Sequence, residues 1–167
     1  MPYDVNIRTI PPYGLLNIRA RPGARAQMCR ILELELPSHP NTTEASPELL
    51  ALWLGPDEWL LRMPDGDETR WQQALRNGVE SNAAVTVVSD AHHIIEISGR
   101  EARDILSQGT ELDMHERCFG PRRCARIRFA KAQVILHRID ASYTYHLYVA
   151  RSYERYLSLW LKSARGA

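Results

Sequence analysis

Residues 50–63 read LALWLGPDEWLLRM, two apolar runs on either side of the turn-forming residues 55–58. Short runs rich in leucine and tryptophan that flank a Gly-Pro-Asp turn predict a β-hairpin. Apolar residues then recur at helical spacing, which indicates a helix packed against the hairpin. These residues are Trp71, Ala74, Leu75 and Val79. This stretch therefore predicts a hairpin followed by a helix.

The same hairpin and helix occur again near the C-terminus. Residues 133–137 and 145–149 predict a second hairpin around a turn at 140–142. The helix that follows has inward positions at i, i+3, i+4, i+7 and i+8. They are Tyr153, Tyr156, Leu157, Trp160 and Leu161. The repeat indicates how the chain folds. It bears on function only if one copy also contains catalytic or binding residues.

The first copy extends backward by one strand and one helix. Residues 14–20 alternate well enough for a strand, and Pro22 can open a helix. The end of that helix is ambiguous, because residues 31–36 also alternate with the period of a strand. Residues 37–43 are rich in turn formers and predict a loop.

The second copy extends backward in the same way. Residues 93–97 predict a strand, and Ser98 with Glu101 matches the capping box of a helix that stops at Gly109. We expect a strand near residue 85 to bridge the two halves. The strictly alternating residues 124–129 predict an additional strand.

These elements predict an α+β fold made of two βαββα ferredoxin-like halves, with mainly antiparallel sheets covered by helices. The halves span about 15–79 and 93–164 as pseudo-repeats of a single domain over residues 1–167. A length of 167 residues suits one domain of this kind.

Composition excludes several classes of protein. The formal charge of +1 gives no bulk electrostatic reason to expect nucleic acid or an anionic membrane as a partner. No window approaches 18 consecutive apolar residues, and residues 1–5 lack the pattern of a signal peptide. Three widely spaced cysteines disfavour a disulfide framework. We therefore expect a cytoplasmic protein.

Residue patterns predict no catalytic, cofactor-binding or metal site. The motifs GxGxxG, GxSxG and HExxH are absent, as is the phosphate-binding GxxxxGK motif. His92 and His93 would point to opposite faces of a strand, which prevents joint metal binding without a bend. Cys118 and Cys124 have arginine neighbours that could lower a thiol pKa, although no CxxC pair accompanies them.

A dense basic run is the one charged feature that invites a functional interpretation. It comprises Arg117, Arg122, Arg123, Arg126, Arg128 and Lys131. The run could be a solvated sheet face, an anion or nucleic-acid site, or a docking surface for an acidic partner. Arginine is common at protein interfaces. The candidate docking residues are Arg122, Arg123, Arg126 and Arg128.

Several stretches in order resemble the gamma-subunit family of heterotetrameric sarcosine oxidases. The sharpest is LWLGPDEWLL at residues 52–61. The others are residues 15–19, 37–41, 89–92, 97–99, 124–128, 137–138 and 149–153. Such a subunit is similar in fold to parts of the glycine cleavage T protein.

The resemblance implies a noncatalytic accessory subunit of a flavin-dependent complex that oxidatively demethylates an N-methyl amine such as sarcosine. It implies alpha and beta subunits as partners, which carry FAD, FMN, NAD and tetrahydrofolate, whereas this chain binds no cofactor. Two alternatives remain at this stage. One is a stand-alone folate-binding or aminomethyltransferase-like protein, with Asp90 as the nearest candidate for holding a pterin. The other is a small nucleic-acid-binding domain that uses the strand at 124–128.

Overall fold

A computed structural model describes residues 2–79 and 82–166. The chain divides into two compact units. The first unit is Pro12–Asp90, and the second unit combines the residues up to Pro11 with those from Ala91 onward. The N-terminal residues therefore belong to the same unit as the C-terminal half.

The described residues form ten strands and four α-helices. The strands are β1 (Asn6–Thr9), β2 (Gly14–Ala20), β3 (Thr43–Ala45), β4 (Leu50–Gly55), β5 (Glu58–Met63), β6 (Ala83–Val87), β7 (His92–Ser98), β8 (Cys124–Phe129), β9 (Ala132–Arg138) and β10 (Thr144–Ala150). The helices are α1 (Pro22–Leu32), α2 (Glu68–Gly78), α3 (Ala102–Ser107) and α4 (Glu154–Arg165). Short 3-10 turns occupy Ser89–Ala91 and Arg151–Tyr153.

The first unit is a five-stranded antiparallel sheet in the order β3-β4-β5-β2-β6. Four of these strands with α1 and α2 give the βαββαβ order of a ferredoxin-like fold, and β3 is added at one edge. The two helices cover one face, where Met28 and Leu75 pack with Leu16, Trp59 and Leu61 of the sheet. The alternation of apolar residues along β2 and β5 fixes which side chains reach this core.

The second unit has the same arrangement with one strand drawn from elsewhere. Its antiparallel sheet runs β1-β7-β10-β9-β8, and α3 and α4 cover one face. Strand β1 pairs with β7, the position that β6 occupies beside β2 in the first unit. Ile97, Tyr145 and Leu157 are completely buried in the core beneath the helices. The predicted α+β class with two ferredoxin-like halves is confirmed.

The predicted element order needs two corrections, one at the strand near residue 85 and one for strands β1 and β3, which were not predicted. The strand near residue 85 does not bridge the halves, because β6 pairs with β2 and completes the first sheet. The additional strand predicted at 124–129 is confirmed as β8, and β3 holds the equivalent edge position in the first sheet. Strands β1 and β3 are only four and three residues long, which is too short to show a clear period.

Predicted helix boundaries also needed correction. Ser98 ends strand β7, and Glu101 directly precedes α3 without any side-chain cap, so the predicted capping box does not form. The Glu101 carboxylate instead accepts a hydrogen bond from the main-chain N–H of Asp4. Helix α1 ends at Leu32 with Glu33 in the left-handed region (φ 48°), which settles the ambiguity at 31–36 against a strand.

Of the predicted inward positions of the last helix, Tyr156 and Trp160 are half-buried and Tyr153 is wrong. Tyr153 lies in the 3-10 turn before α4, and its side chain is 44% exposed. The description of residues 1–167 as a single domain of two pseudo-repeats, 15–79 and 93–164, stays a prediction.

Candidate functional site

A fully buried arginine organises the irregular segment before β8. Arg138, at the end of β9, has no exposed surface. Its Nε donates to the carbonyl of Asp140 (3.2 Å), its Nη1 to the carbonyl of Phe119 (3.1 Å) and its Nη2 to the carboxylate of Glu116 (3.0 Å). A buried charge is tolerated only with such partners. These bonds therefore tie residues 116–119 to the end of the sheet.

Main-chain hydrogen bonds and aromatic rings complete this arrangement. The N–H of Arg122 donates to the carbonyl of Arg138, and the N–H of Arg138 donates to the carbonyl of Arg123, both at 2.9 Å. The guanidinium of Arg138 lies 5.3 Å from the ring centroid of Tyr143 and 5.8 Å from that of Tyr145. Burial raises the pKa of the Tyr145 phenol, which keeps it neutral beside the guanidinium.

The four candidate docking residues lie along β8 and the residues just before it. Arg122 and Arg123 precede the strand, and Arg126 and Arg128 lie on it; all four are exposed. Strand β8 is terminal in its sheet. Arg122, Arg123 and Arg126 each already take part in an interaction within the protein. The Nε of Arg128 donates to the carbonyl of Ala130 at 3.3 Å.

Beside β8 lies an open groove of about 670 Å³. Residues 108–112 form one wall, and Ile127, Arg128 and Ala130 form the other. The N–H of Ala130 donates to the carbonyl of Gly109 at 2.6 Å, and a Cβ on Gly109 would lie 2.4 Å from the Phe129 ring. Only glycine allows this close approach, so the wall of the groove depends on residue 109.

His93 and His146 make separate polar contacts. His93 Nε2 lies 3.3 Å from the hydroxyl of Thr9 and 3.4 Å from a carboxylate oxygen of Glu154. His146 Nε2 lies 3.2 Å from Glu96 Oε2. Among residues 2–79 and 82–166, no group of three or more His, Cys, Asp or Glu side chains could hold a metal ion.

The sequence analysis missed an ion pair between the exposed Arg8 and the buried Glu96. The Nε of Arg8, on β1, donates to Glu96 Oε1 at 2.7 Å, and Glu96 is also bonded to His146. The hydrogen bond from Arg8 is the main reason that the pKa of Glu96 lies below its ordinary value. The two residues are 88 positions apart, and no local pattern in the sequence connects them.

The arginine neighbours of Cys118 do not lower the pKa of its thiol. The hydrogen bond to Asp113 raises the pKa of the exposed Cys118 thiol. Burial raises the pKa of the Cys29 thiol. A raised pKa disfavours the reactive thiolate, so the suggestion of a cation-activated Cys118 is wrong.

The folate candidate lies on the surface. Asp90 is exposed in the 3-10 turn Ser89–Ala91 at the end of the first unit.

In the described part of the chain, no helix has both the length and the apolar character needed to cross a membrane.

Solved structures define the class of protein. The chain is similar to a heterotetrameric sarcosine oxidase chain from Corynebacterium sp. U-96, with a TM-score of 0.89, 24% identity, and coverage of 96% of this chain and 83% of that chain. It is also similar to the glycine cleavage system aminomethyltransferase T from Bartonella henselae, with a TM-score of 0.67, 12% identity, and coverage of 94% and 45%. At these identities both comparisons show the fold alone, an α+β protein of two ferredoxin-like units.

The particular family follows from the sequence comparison. Residues 18–167 match the model of the sarcosine oxidase, gamma subunit family, and the chain belongs to this family. The sarcosine oxidase subunit gamma of Arthrobacter sp. is 29% identical over 137 residues, 80% of this chain and 67% of that protein. The subunit gamma of Corynebacterium sp. strain P-1 is 27% identical over 163 residues, 96% of this chain and 79% of that protein.

Proposed function

We propose that this chain is a noncatalytic accessory subunit of a heteromeric, flavin-dependent sarcosine oxidase-like complex. The complex oxidatively demethylates an N-methyl amine such as sarcosine. The observation that carries the proposal is the family match, which extends over residues 18–167. The likeness to a chain of a heterotetrameric sarcosine oxidase over 96% of this chain supports it.

The partners in this proposal are alpha and beta subunits in the cytoplasm. They hold FAD, FMN, NAD and tetrahydrofolate, and the present chain contributes structure to the assembly. Two buried charged side chains of the second unit support this division, because they bind groups of this chain. Arg138 and Glu96 are both committed to internal partners.

We place one partner contact at Arg122, Arg123, Arg126 and Arg128. Their exposure along a terminal strand supports this placement, because a positively charged edge suits an acidic surface. Arg126 and Arg128 are two residues apart on one face of β8, about 7 Å by strand geometry. That spacing lets both engage one cluster of carboxylates.

Co-expression with the neighbouring alpha and beta genes tests the proposal. We expect size-exclusion chromatography to give one yellow complex that contains this chain at fixed stoichiometry. Elution of the chain as a free monomer under those conditions would contradict the proposed function.

A pair of charge-reversal variants tests the docking residues separately. Arg126→Glu/Arg128→Glu should weaken assembly, and the loss of affinity with added salt seen in the wild type should flatten or reverse, because salt then screens a repulsion. Arg21→Glu/Arg30→Glu changes the charge equally at exposed arginines of the first unit and should assemble like the wild type. Equal assembly of both double variants would rule out the basic strand as a contact.

The fold similarity to aminomethyltransferase T favours one alternative, a stand-alone folate-binding protein. Calorimetry of the isolated chain with tetrahydrofolate decides between the two functions. The accessory role predicts no heat of binding. Binding that is lost in Asp90→Ala would support the alternative.

A further inference from the structure

The last helix and the turn before it carry a group of apolar side chains that are exposed or half-buried. Leu157 and Leu161 of α4 are completely buried, whereas Leu159 is 56% exposed. In the described residues three large apolar side chains are 40% or more exposed, and two of them, Tyr153 (44%) and Leu159 (56%), belong to this segment. We call Tyr153, Tyr156, Leu159 and Trp160 the α4 face. Clustered exposure of this kind marks interaction surfaces, in contrast to single scattered residues.

The side chains of the α4 face are held in place before any partner arrives. The Trp160 ring packs edge-on against the buried Phe129 ring, with centroids 4.9 Å apart. The rings of Tyr153 and Tyr156 meet edge-on at 6.4 Å. Rigid aromatic side chains lose little conformational freedom when they bind. Tyrosine and tryptophan are also the residue types that most often dominate binding energy at interfaces.

A basic rim borders the α4 face. At about 100° per residue, Arg155 and Lys162 lie within about 60° of Leu159, on the side away from Tyr156. Both are exposed, and so is Arg151 in the turn before the helix. The acidic residue at the start of α4, Glu154, is placed beside His93 at 3.4 Å. The surface is therefore apolar and aromatic at its centre, with positive charge along one border.

This charge distribution disfavours an antiparallel pairing of two copies through α4. One way for two copies to pair through Leu159 is about a two-fold axis perpendicular to α4, which sets the two helices antiparallel. Arg155 of one copy would then approach Lys162 of the other, and like charges in close opposition oppose association. A surface with carboxylates at its border would instead be attracted.

We propose that the α4 face docks onto an apolar surface rimmed by carboxylates on a partner subunit of the complex. This inference deepens the proposed function and depends on it. It adds a contact that is distinct from the basic strand, because it is carried by Leu159 and the aromatic side chains. The pattern of an apolar centre with a charged border is that of a protein–protein interface.

Leu159→Glu tests the inference in the co-expressed complex. Leucine and glutamate have similar helix propensities, so the exposed substitution should leave α4 folded, as checked by thermal melting. We expect the affinity for the partner subunits to fall at least tenfold. The matched control is Val87→Glu, since Val87 is 40% exposed on β6 of the first unit and should assemble like the wild type.

The outcomes separate this inference from the function on which it depends. Failure of the wild-type chain to assemble overturns the proposed function and the inference together. Equal affinity of wild type, Val87→Glu and Leu159→Glu overturns the α4 contact alone. Two other results would also overturn it: a free wild-type chain that is dimeric and becomes monomeric in Leu159→Glu, or binding to anionic phosphatidylserine vesicles that this substitution abolishes.

Discussion

The two units have equivalent strand orders, yet they differ in the origin of the edge strand that pairs with β2 in the first unit and with β7 in the second. In the first unit, β6 follows α2 directly along the chain, and the side chains of Gln72 and Arg76 donate to the carbonyl of Val85 at 3.1 Å. In the second unit, the corresponding edge strand is β1, which comes from the N-terminal end of the chain. Arg8 fixes it through the buried Glu96.

This difference shows where a duplicated scaffold has diverged. Strand β6 is the next element after α2 in the chain, whereas β1 precedes the whole first unit and joins the second sheet through its pairing with β7 and the Arg8–Glu96 bond. The segment built around Arg138, the basic strand β8 and the α4 face also belong to the second unit. The first unit is a regular ferredoxin-like scaffold. We therefore expect partner contacts to concentrate in the second unit.

The largest expected effect comes from removing the buried guanidinium of the second unit. Arg138→Met keeps much of the side-chain volume but leaves the carbonyls of Phe119 and Asp140 without their donor. We expect the free energy of unfolding to fall by about 3 kcal/mol, measured by urea titration. The exposed Arg117→Met should change it by no more than about 0.5 kcal/mol. Equal stability of the two variants would show that Arg138 does not organise this segment.

A smaller effect should distinguish a crowded glycine from an open one. Gly109→Ala forces a Cβ against the Phe129 ring, and we expect a loss of about 2 kcal/mol. Gly23→Ala, in α1 of the first unit, meets no atom within 4 Å and should stabilise by up to about 1 kcal/mol. Thermal melts of the two variants should therefore shift in opposite directions. A shift in the same direction would contradict the packing at Gly109.

The smallest effect concerns the ion pairs of the two units. Hydrogen bonding from Arg8 holds the pKa of Glu96 below its ordinary value of 4.5. The contribution of the ionised Glu96 to stability is therefore present above pH 4.5. It is lost as the pH falls through the lower pKa that Glu96 has in the folded state. We expect Glu96→Gln to cost about 1 kcal/mol at pH 7 and to flatten the acid limb of the stability curve.

The first unit supplies the control for that measurement. Arg70 and Glu48 lie 3.0 Å apart, with side chains 58% and 61% exposed. Solvent screens such a pair, so Glu48→Gln should change stability by less than about 0.5 kcal/mol. An acid limb that is the same in Glu96→Gln and the wild type would exclude the Arg8–Glu96 pair as a stabilising contact.

The sequence predicted the fold where apolar residues recur with a clear period. Both hairpins and the helices after them were found in this way, and the repeat followed from them. Strands β1 and β3 were not predicted because so few residues give no period. Pairing with the distant β7 defines β1, and pairing with the neighbouring β4 defines β3. Ser98 matched a cap locally, but tertiary pairing extended β7 through it.

The candidate site was predictable only in part. The basic residues of β8 were visible as a run of like charge, and strand alternation placed Arg126 and Arg128 on one exposed face. The burial of Arg138 was not predictable from the sequence, because its partners Glu116 and Phe119 come from an irregular segment. The exposed α4 face was hidden for a similar reason, since helical spacing alone placed Tyr153 inward.

Hydrogen–deuterium exchange of the free chain and of the chain within the complex tests most directly whether the second unit carries the contacts. We expect binding of the alpha and beta subunits to slow exchange in β8 and α4, while the strands β2, β4 and β5 of the first unit keep their rates. Slowed exchange confined to the first unit, or unchanged exchange throughout, would contradict a docking role for the second unit.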